Sequence, residues 1–257
     1  MPIDFYKYQG TGNDFILIDN RLDTFPKNDT KLIAEMCDRK FGIGADGLIL
    51  LETTEGYDFK MVYYNADGAE GSFCGNGARC ITRFARFLNI IESEATFLAA
   101  DGTHKSTIMG EQVSLEMTDV ESISQTKNYS FLNTGSPHHV EVVEDLENYE
   151  VFESGREIRN TVYGKAGSNI NFVQPLEENT FAVRTYERGV EDETMSCGTG
   201  VTAVVIAMAN LGKAGGNDVG IITPGGKLRV TFKKHEGKFT NIHLIGPAKQ
   251  VFKGKWG

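Results

Sequence analysis

The feature that most constrains this chain is a repeat. Residues 74–77 read Cys-Gly-Asn-Gly and residues 197–200 read Cys-Gly-Thr-Gly, and each leads into a run of helical character, ARCITRFARFL and VTAVVIAMANL. At the same displacement of 123 positions, Gly12 meets Gly135, Gly44 meets Gly167, Gly75 meets Gly198, Gly77 meets Gly200 and Gly102 meets Gly225. With 29 glycines in 257 residues, about two such coincidences would arise by chance, and five occur in order. Local character agrees: TGNDFILID (11–19) lies over GSPHHVEVV (135–143) with one residue of slack, and GADGLILLE (44–52) over GSNINFVQP (167–175), each a turn followed by a strand. The chain therefore reads as an internal duplication of two similar α/β (α+β) domains. Residues 1–119 with the tail 247–257 form one and residues 120–246 the other, joined through the polar stretch DVESISQTKNYS.

Alternation and β-branched content predict strands at 3–8, 14–19, 47–52, 59–64 and 96–99 in the first half. In the second they predict 138–144, 169–174, 180–186, 219–223, 228–233 and 240–245. Helices are expected at 30–40, from the spacing of Leu32, Ile33, Met36 and Cys37, and at 76–88 and 199–211. The last two are apolar on most faces, which marks buried helices. Two central helices, each wrapped by its own strands, follow, and the tail PAKQVFKGKWG reads as folding back onto the first half.

A net charge of −9 argues against a nucleic-acid or anionic-membrane surface, both of which want a basic patch. The N-terminal MPIDFYKYQG has neither the basic start nor the apolar core of a signal peptide, and VTAVVIAMANL is too short to span a bilayer. The expectation is a soluble, cytoplasmic protein. Its cysteines are Cys37, Cys74, Cys80 and Cys197, with no Cys-x-x-Cys and so no zinc-site spacing. No metal is expected. Cys37 and Cys80 read as small buried hydrophobes.

Cys74 and Cys197 each stand at the start of a helix, where unpaired N–H groups and the helix dipole favour an anion. Such a position pushes a cysteine towards thiolate, and adjacent glycines let an anion approach the backbone N–H groups. Disulfide exchange prefers closely spaced thiols, and acyl transfer needs only one. Inversion at a tetrahedral carbon needs two acid/base groups, one per face: a thiolate removes the proton and a thiol returns one to the opposite side. Two nearby thiols resist carrying two charges, so a single shared proton is favoured. The helix N-termini would also stabilise a substrate carboxylate as charge builds on it.

The motifs GNDF (12–15), GADG (44–47), NADG (65–68), CGNGARC (74–80), GSPH (135–138), GSNINFV (167–173), YERGVEDET (186–194) and CGTG (197–200) together resemble the diaminopimelate epimerase family over essentially the whole chain. The resemblance implies a pseudo-symmetric fold in which each domain is a strongly curved β-sheet wrapped around a central helix. It implies cofactor-independent interconversion of LL- and meso-diaminopimelate in lysine and peptidoglycan precursor synthesis, and a homodimer. By position, Cys74 and Cys197 correspond to the catalytic thiols. Asn13, Asn65, Asn169, Glu187 and Arg188 correspond to substrate ligands, and Gly75, Asn76, Gly198 and Thr199 to a backbone cradle. His138 and Glu187 correspond to groups that tune the thiols.

Read as residues alone, His138 fits a loop or core histidine better than a functional one, the three asparagines fit ordinary turns, and Glu187–Arg188 fits a surface charge pair as well as a site. A substrate with two amino-acid ends does suit an arginine for carboxylate beside a glutamate for ammonium. Two positions depart from the family pattern: Gly47 stands where many relatives carry Gln, and Ser136 where they often carry Asn. The competing reading is a two-thiol racemase of another amino acid on the same fold.

Overall fold

The computed structural model describes residues 2–71, 73–177 and 179–257. The chain divides into two compact units, Met1–Leu115 with Gly246–Gly257, and Glu116–Ile245. Residues 116–119 thus fall in the second unit and Gly246 in the first, each where the sequence reading has the other, and the strands ending at Met117 and Pro247 run past the division and are named below with the unit in which they begin.

The first unit runs β1 (Ile3–Gly10), β2 (Asn13–Asp19), α1 (Thr30–Cys37), β3 (Gly47–Glu52), β4 (Phe59–Asn65), α2 (Gly75–Phe87), β5 (Glu94–Ala99), β6 (Gly102–Met109) and β7 (Gln112–Met117). The second runs β8 (Ser124–Gln125), β9 (Tyr129–Asn133), β10 (Pro137–Val142), α3 (Val151–Thr161), β11 (Asn169–Pro175), β12 (Thr180–Glu187), β13 (Asp192–Thr194), α4 (Gly198–Asn210), β14 (Asp218–Thr223), β15 (Gly226–His235) and β16 (Lys238–Pro247). The tail forms β17 (Lys249–Trp256), antiparallel to β1.

Each unit repeats one ladder. In the first, β1 pairs antiparallel with β2, β2 parallel with β3, β3 antiparallel with β4, β4 parallel with β5, and β5, β6 and β7 follow antiparallel. In the second, β9, β10, β11, β12, β14, β15 and β16 pair in the same senses, in the same order. The two long helices carry the same 123-residue displacement to the residue, Gly75–Phe87 against Gly198–Asn210.

These helices are central because little of their surface suits water. α4 is buried from Gly198 to Ala209 except at Thr199, and α2 buries Ala78, Cys80, Ile81, Phe84 and Ala85. α2 packs on β1, β2, β3, β4, β6 and β17, and α4 on β9, β10, β11, β12, β14 and β15. A second layer of core lies under α1, where Ile33, Met36 and Cys37 meet Ile16, Ile18, Leu48 and Leu50. In the second unit Val151 of α3 joins Ile170, Phe172 and Tyr186. Among the described residues no helix is long and apolar enough to cross a membrane.

Several expectations need correction. The helix foreseen at 30–40 stops at Cys37. Asp29 caps its start, accepting from Leu32 N–H at 3.0 Å, but Asp38 turns extended and its carboxylate accepts the N–H groups of Lys40 and Phe41, each at 2.7 Å. That local side-chain bonding competes with another helical turn. Strands β6, β7, β8, β9, β13 and β17 and helix α3 were not foreseen. α3 buries only Val151 and Gly155, so its apolar stripe is thin, and a mid-helix glycine reads as a breaker.

Gly155 is there for packing. A Cβ on it would lie 2.4 Å from Tyr186 Cβ and 2.7 Å from Tyr186 Cγ. Alanine would gain about 0.5–1 kcal/mol of helix preference but would overpack a tight contact, at a cost of about 1–3 kcal/mol. The clash wins. Gly155→Ala is therefore expected to lower the urea midpoint, with an unchanged slope, by the equivalent of about 1–2 kcal/mol. A stabilised variant would show that α3 can lift off Tyr186 at little cost.

Candidate active site

Cys74 and Cys197 are the residues that precede α2 and α4, both with extended backbone (φ −129°, ψ 113° and φ −113°, ψ 111°). Neither side chain caps its own helix. Each carbonyl accepts the first helical bond, from Ala78 N–H at 2.8 Å and Val201 N–H at 2.9 Å. The thiols therefore stand beside helix N-termini without being consumed by them, and none of the four cysteines is in a disulfide.

The second glycine of each motif is a packing requirement. A Cβ on Gly77 would approach Ile49 Cδ1 to 2.7 Å, so a side chain there would push the tip of Ile49 aside where α2 lies on β3. A Cβ on Gly200 would come to 2.4 Å from Asn171 Oδ1 and 3.3 Å from Cys197 Sγ. Glycine here also leaves the sulfur uncovered.

In the first unit, Cys74 is grouped with Asn13 and Asn76. Asn13, at the head of β2, donates from Nδ2 to Asp46 Oδ2 at 2.6 Å. A carboxylate only accepts, so this bond fixes the amide and turns its oxygen away from Asp46. Asn13 Oδ1 then accepts from Asn76 Nδ2 at 3.1 Å and lies 3.6 Å from Cys74 Sγ. Asp46 is held by Arg39 at 2.7 Å, and Asp14 by Arg39 at 2.6 Å and Lys7 at 2.7 Å. Burial alone would raise the Asp14 carboxyl, but the bonds from Arg39 and Lys7 outweigh it and hold the group below the usual carboxylate range. Asn65 ends β4 directly opposite Gly47.

Gly47 itself admits no side chain in this backbone. A Cβ would lie 2.5 Å from Tyr64 O and 2.6 Å from Tyr63 Cε2. Tyr63 is also 2.6 Å from the Cβ position of Gly71, so two glycines form the slot that holds its ring. Where relatives carry Gln at this position, the space here is filled by Tyr63.

In the second unit, Cys197 is only 7 % exposed and lies 3.5 Å from Thr199 Oγ1. The Thr199 carbonyl accepts from Thr134 Oγ1 at 2.9 Å. Asn169 begins β11. Its Oδ1 accepts Arg188 N–H at 2.9 Å, and its Nδ2 donates to Ser136 Oγ at 3.0 Å and Pro137 O at 3.3 Å. Arg188 donates to Ala166 O at 3.1 Å and Ser136 Oγ at 3.4 Å, so its guanidinium meets only neutral oxygens among the described residues. Ser136 thus bridges Asn169 and Arg188, a use that a hydroxyl serves. Gly167 (φ +64°) leaves room for Arg188, whose Cδ would otherwise sit 3.0 Å from a Cβ. Glu187 accepts from Thr194 Oγ1 at 2.9 Å.

His138 is fully buried. Asn171 Nδ2 lies 3.2 Å from its Nδ1 and donates to His139 O at 2.8 Å, while Asn171 Oδ1 accepts from Thr185 Oγ1 at 3.0 Å. These partners orient the amide with its NH₂ towards the ring. Nδ1 is therefore an acceptor and the proton sits on Nε2, a buried atom with no hydrogen-bond partner among the described residues. Burial, with the nearby Arg188 charge second, pushes the imidazole down to about 3. His138 is neutral near pH 7, and what it can offer a thiol is an N–H donor rather than a positive charge.

Asp46, Asn171 and Tyr63 escaped the sequence reading. Asn171 did leave a signal, a lone amide in the otherwise apolar strand INFV. Among the described residues no three His, Cys, Asp or Glu side chains gather where a metal ion could be held.

The model of the family described as "Diaminopimelate epimerase" matches residues 5–123 and 130–251. A curated diaminopimelate epimerase of Flavobacterium psychrophilum is 57% identical over 249 residues, spanning 96% of this chain and 97% of that protein. One from Aquifex aeolicus is 37% identical, over 98% and 97%. Among solved structures, a Bacillus anthracis phenazine biosynthesis protein of the PhzF family superposes with TM-score 0.78 at 16% identity, covering 100% of this chain and 99% of that one. A hydroxyproline epimerase from Agrobacterium vitis gives 0.71 at 13%, covering 99% and 92%; at such identities the likeness is one of fold. The family match across both halves, together with two equivalent helix-start cysteines, shows that the chain belongs to the diaminopimelate epimerase family.

Proposed function

We propose that this chain interconverts LL- and meso-diaminopimelate by proton transfer at the α-carbon, with Cys74 and Cys197 as the two acid/base groups. The observation that carries the reading is the pair of thiols at equivalent helix starts, neither spent on capping. One sulfur, as thiolate, takes the α-proton and becomes a thiol. The electron pair left on carbon delocalises into the substrate carboxylate, which the N–H groups of Gly75 and Asn76, and of Gly198 and Thr199, are suited to stabilise. The other thiol delivers its proton to the opposite face and becomes the thiolate. Atoms and charge balance, the proton having changed sulfur, and the reverse reaction exchanges the roles. No cofactor enters these steps.

Asn13, Asn65 and Asn169 supply amides to the substrate, while Arg188 and Glu187 receive the distal carboxylate and ammonium that do not react. Arg188 is suited to this because its charge is bonded only to neutral oxygens. His138 supports the arrangement as a neutral donor. With this reading go a cytoplasmic location and a homodimer, both taken from the family.

In D₂O the wild-type chain is expected to place deuterium at the α-carbon while it epimerises either isomer. Cys74→Ala and Cys197→Ala should each slow epimerisation by at least about 10³-fold, in the range for loss of a general acid or base. Near-normal turnover by either variant would remove that thiol from the mechanism. Turnover of proline in place of diaminopimelate would favour the racemase alternative.

Arg188→Met should raise KM by about 10–100-fold with a smaller change in kcat, since a charged hydrogen bond to carboxylate contributes about 1.5–3 kcal/mol. An unaltered KM would leave Arg188 without a role in binding.

The buried imidazole also makes a stability prediction. The unfolded chain binds a proton at His138 near its ordinary value of 6.5, whereas the folded chain does so only near about 3. Stability from this group is therefore complete above the first value and is lost as pH falls towards the second, at about 1.4 kcal/mol per pH unit. Between pH 7 and pH 5, denaturation of the wild type should lose about 2 kcal/mol more than His138→Gln. Parallel losses would mean that the imidazole protonates in the folded state.

A further inference from the structure

The turn between β1 and β2 is held in a conformation that its first residue disfavours. Thr11 and Gly12 join Gly10 to Asn13, which face each other across the hairpin. Both turn residues have positive φ, +51° and +82°, the pattern of a type I′ turn. Glycine and asparagine enter that region readily, whereas a β-branched residue there is an outlier. Such strain persists only where the surroundings over-determine it, and it gathers at functional sites. Thr11 is 2 % exposed, so its surroundings do enclose it.

Helix α2 supplies the constraint. Arg79 Nη2 donates to Thr11 Oγ1 at 3.1 Å, and Asn76 Nδ2 donates to Asn13 Oδ1 at 3.1 Å. Asn76 and Arg79 are three apart on α2 and share a face, so one turn of helix grips both the strained residue and the residue two places on. Arg79 is itself fixed, being fully buried with its Nε donating to Pro247 O at 3.4 Å. Gly10 lets the hairpin come this close, since a Cβ there would lie 3.2 Å from Arg79 Nη2 and 3.3 Å from Asn76 O. A glycine at position 11 would relax the backbone but offer the guanidinium no side-chain oxygen.

The second unit repeats the arrangement, here with no positive φ at the threonine. Displaced by 123 positions, Thr11 falls on Thr134, Asn13 on Ser136 and Asn76 on Thr199. Thr134 lies in the turn between β9 and β10 and is 1 % exposed. Its Oγ1 donates to Thr199 O, in the first turn of α4, at 2.9 Å. In each unit, then, a buried threonine hydroxyl ties a hairpin turn to the first turn of a central helix. The residue two places later carries the polar group of the site: Asn13 Oδ1 lies 3.6 Å from Cys74 Sγ, and Ser136 Oγ lies 3.0 Å from Asn169 Nδ2 and 3.4 Å from Arg188 Nη2.

We propose that Thr11 and Thr134 are positioning residues for the reaction. Each acts through its turn: the hydroxyl fixes the backbone against the helix that begins at the thiol, so that Asn13 and Ser136 are in place before substrate arrives. The inference rests on the reading of Asn13 as a substrate ligand and of Ser136 as the support of Arg188.

The test compares Thr11→Val and Thr134→Val, which remove the hydroxyl at nearly constant shape, with Thr11→Ser and Thr134→Ser, which keep it. Peptide-resolved hydrogen exchange follows residues 10–14 and 133–137. kcat/KM is measured far below the unfolding transition, where a loss of stability alone does not move it. Each valine variant should quicken exchange in its own turn and leave the other turn unaltered. kcat/KM should fall by at least about tenfold in Thr11→Val, where the lost bond is to a charge, and by about threefold in Thr134→Val. Serine should hold each value within about twofold of the wild type. A folded valine variant with unaltered kcat/KM overturns the proposal for that residue. So does a serine variant as slow as the valine, which would make the methyl contact the cause. Should a valine variant not fold, the wild type decides: both turns should exchange at least about a hundredfold more slowly than an unstructured peptide, and exchange at the free rate overturns the proposal. Asn13→Ala separates the two readings. Normal turnover by that variant would remove Asn13 from substrate binding, while exchange in the valine variants still decides whether the threonines hold their turns.

Discussion

The structure turns on how closely a central helix can approach its strands at the end where it begins. α2 and α4 are buried nearly all round, so the unpaired N–H groups of their first turns cannot simply face water. A serine or aspartate at the cap would satisfy one of them and end the matter. Here a cysteine occupies that position, and its side chain makes no capping bond. Glycine at positions 77 and 200 then allows the first turn to sit against the side chains of Ile49 in one unit and Asn171 in the other without displacing them.

Duplication has repeated the scaffold more faithfully than the chemistry placed on it. The ladders and the helix bounds coincide, yet the sulfurs have different neighbours. Cys74 faces a carbonyl oxygen fixed in orientation by Asp46, an acceptor that suits a protonated sulfur. Cys197 faces the Thr199 hydroxyl, which can donate or accept and so suits either state. The polar support differs as well. Charged residues, Lys7, Asp14, Arg39 and Asp46, brace the first group, while neutral amides and hydroxyls, Asn169, Asn171, Ser136 and Thr185, brace the second.

How much of this could be read from residues follows from what leaves a one-dimensional trace. The repeat was legible because glycine positions record backbone demands directly, and the buried helices because no amphipathic face interrupts them. α3 was hidden by Gly155, whose reason, the ring of Tyr186, lies 31 positions away in another element. The end of α1 was hidden because Asp38 bonds the backbone on its far side, a choice between two local minima that periodicity does not register. β6 and β7 did not stand out, yet the repeat implied them, since displacing either by 123 positions falls on β15 or beside β16. Read consistently, the duplication carried more of the fold than local pattern did.

The groups that orient other groups are the hardest to see in a sequence, and they set the protonation pattern here. Asp46 decides which atom of Asn13 meets a sulfur, and Asn171 decides which nitrogen of His138 holds a proton. Neither residue is distinctive by type, and each acts by having only one way to satisfy its own partners. The same logic separates two buried cationic side chains. His138 meets burial by giving up its proton, so it can remain in the core with Nε2 unpartnered. Arg79 has no such escape and keeps its charge in the core, held by neutral oxygens of Thr11 and Pro247.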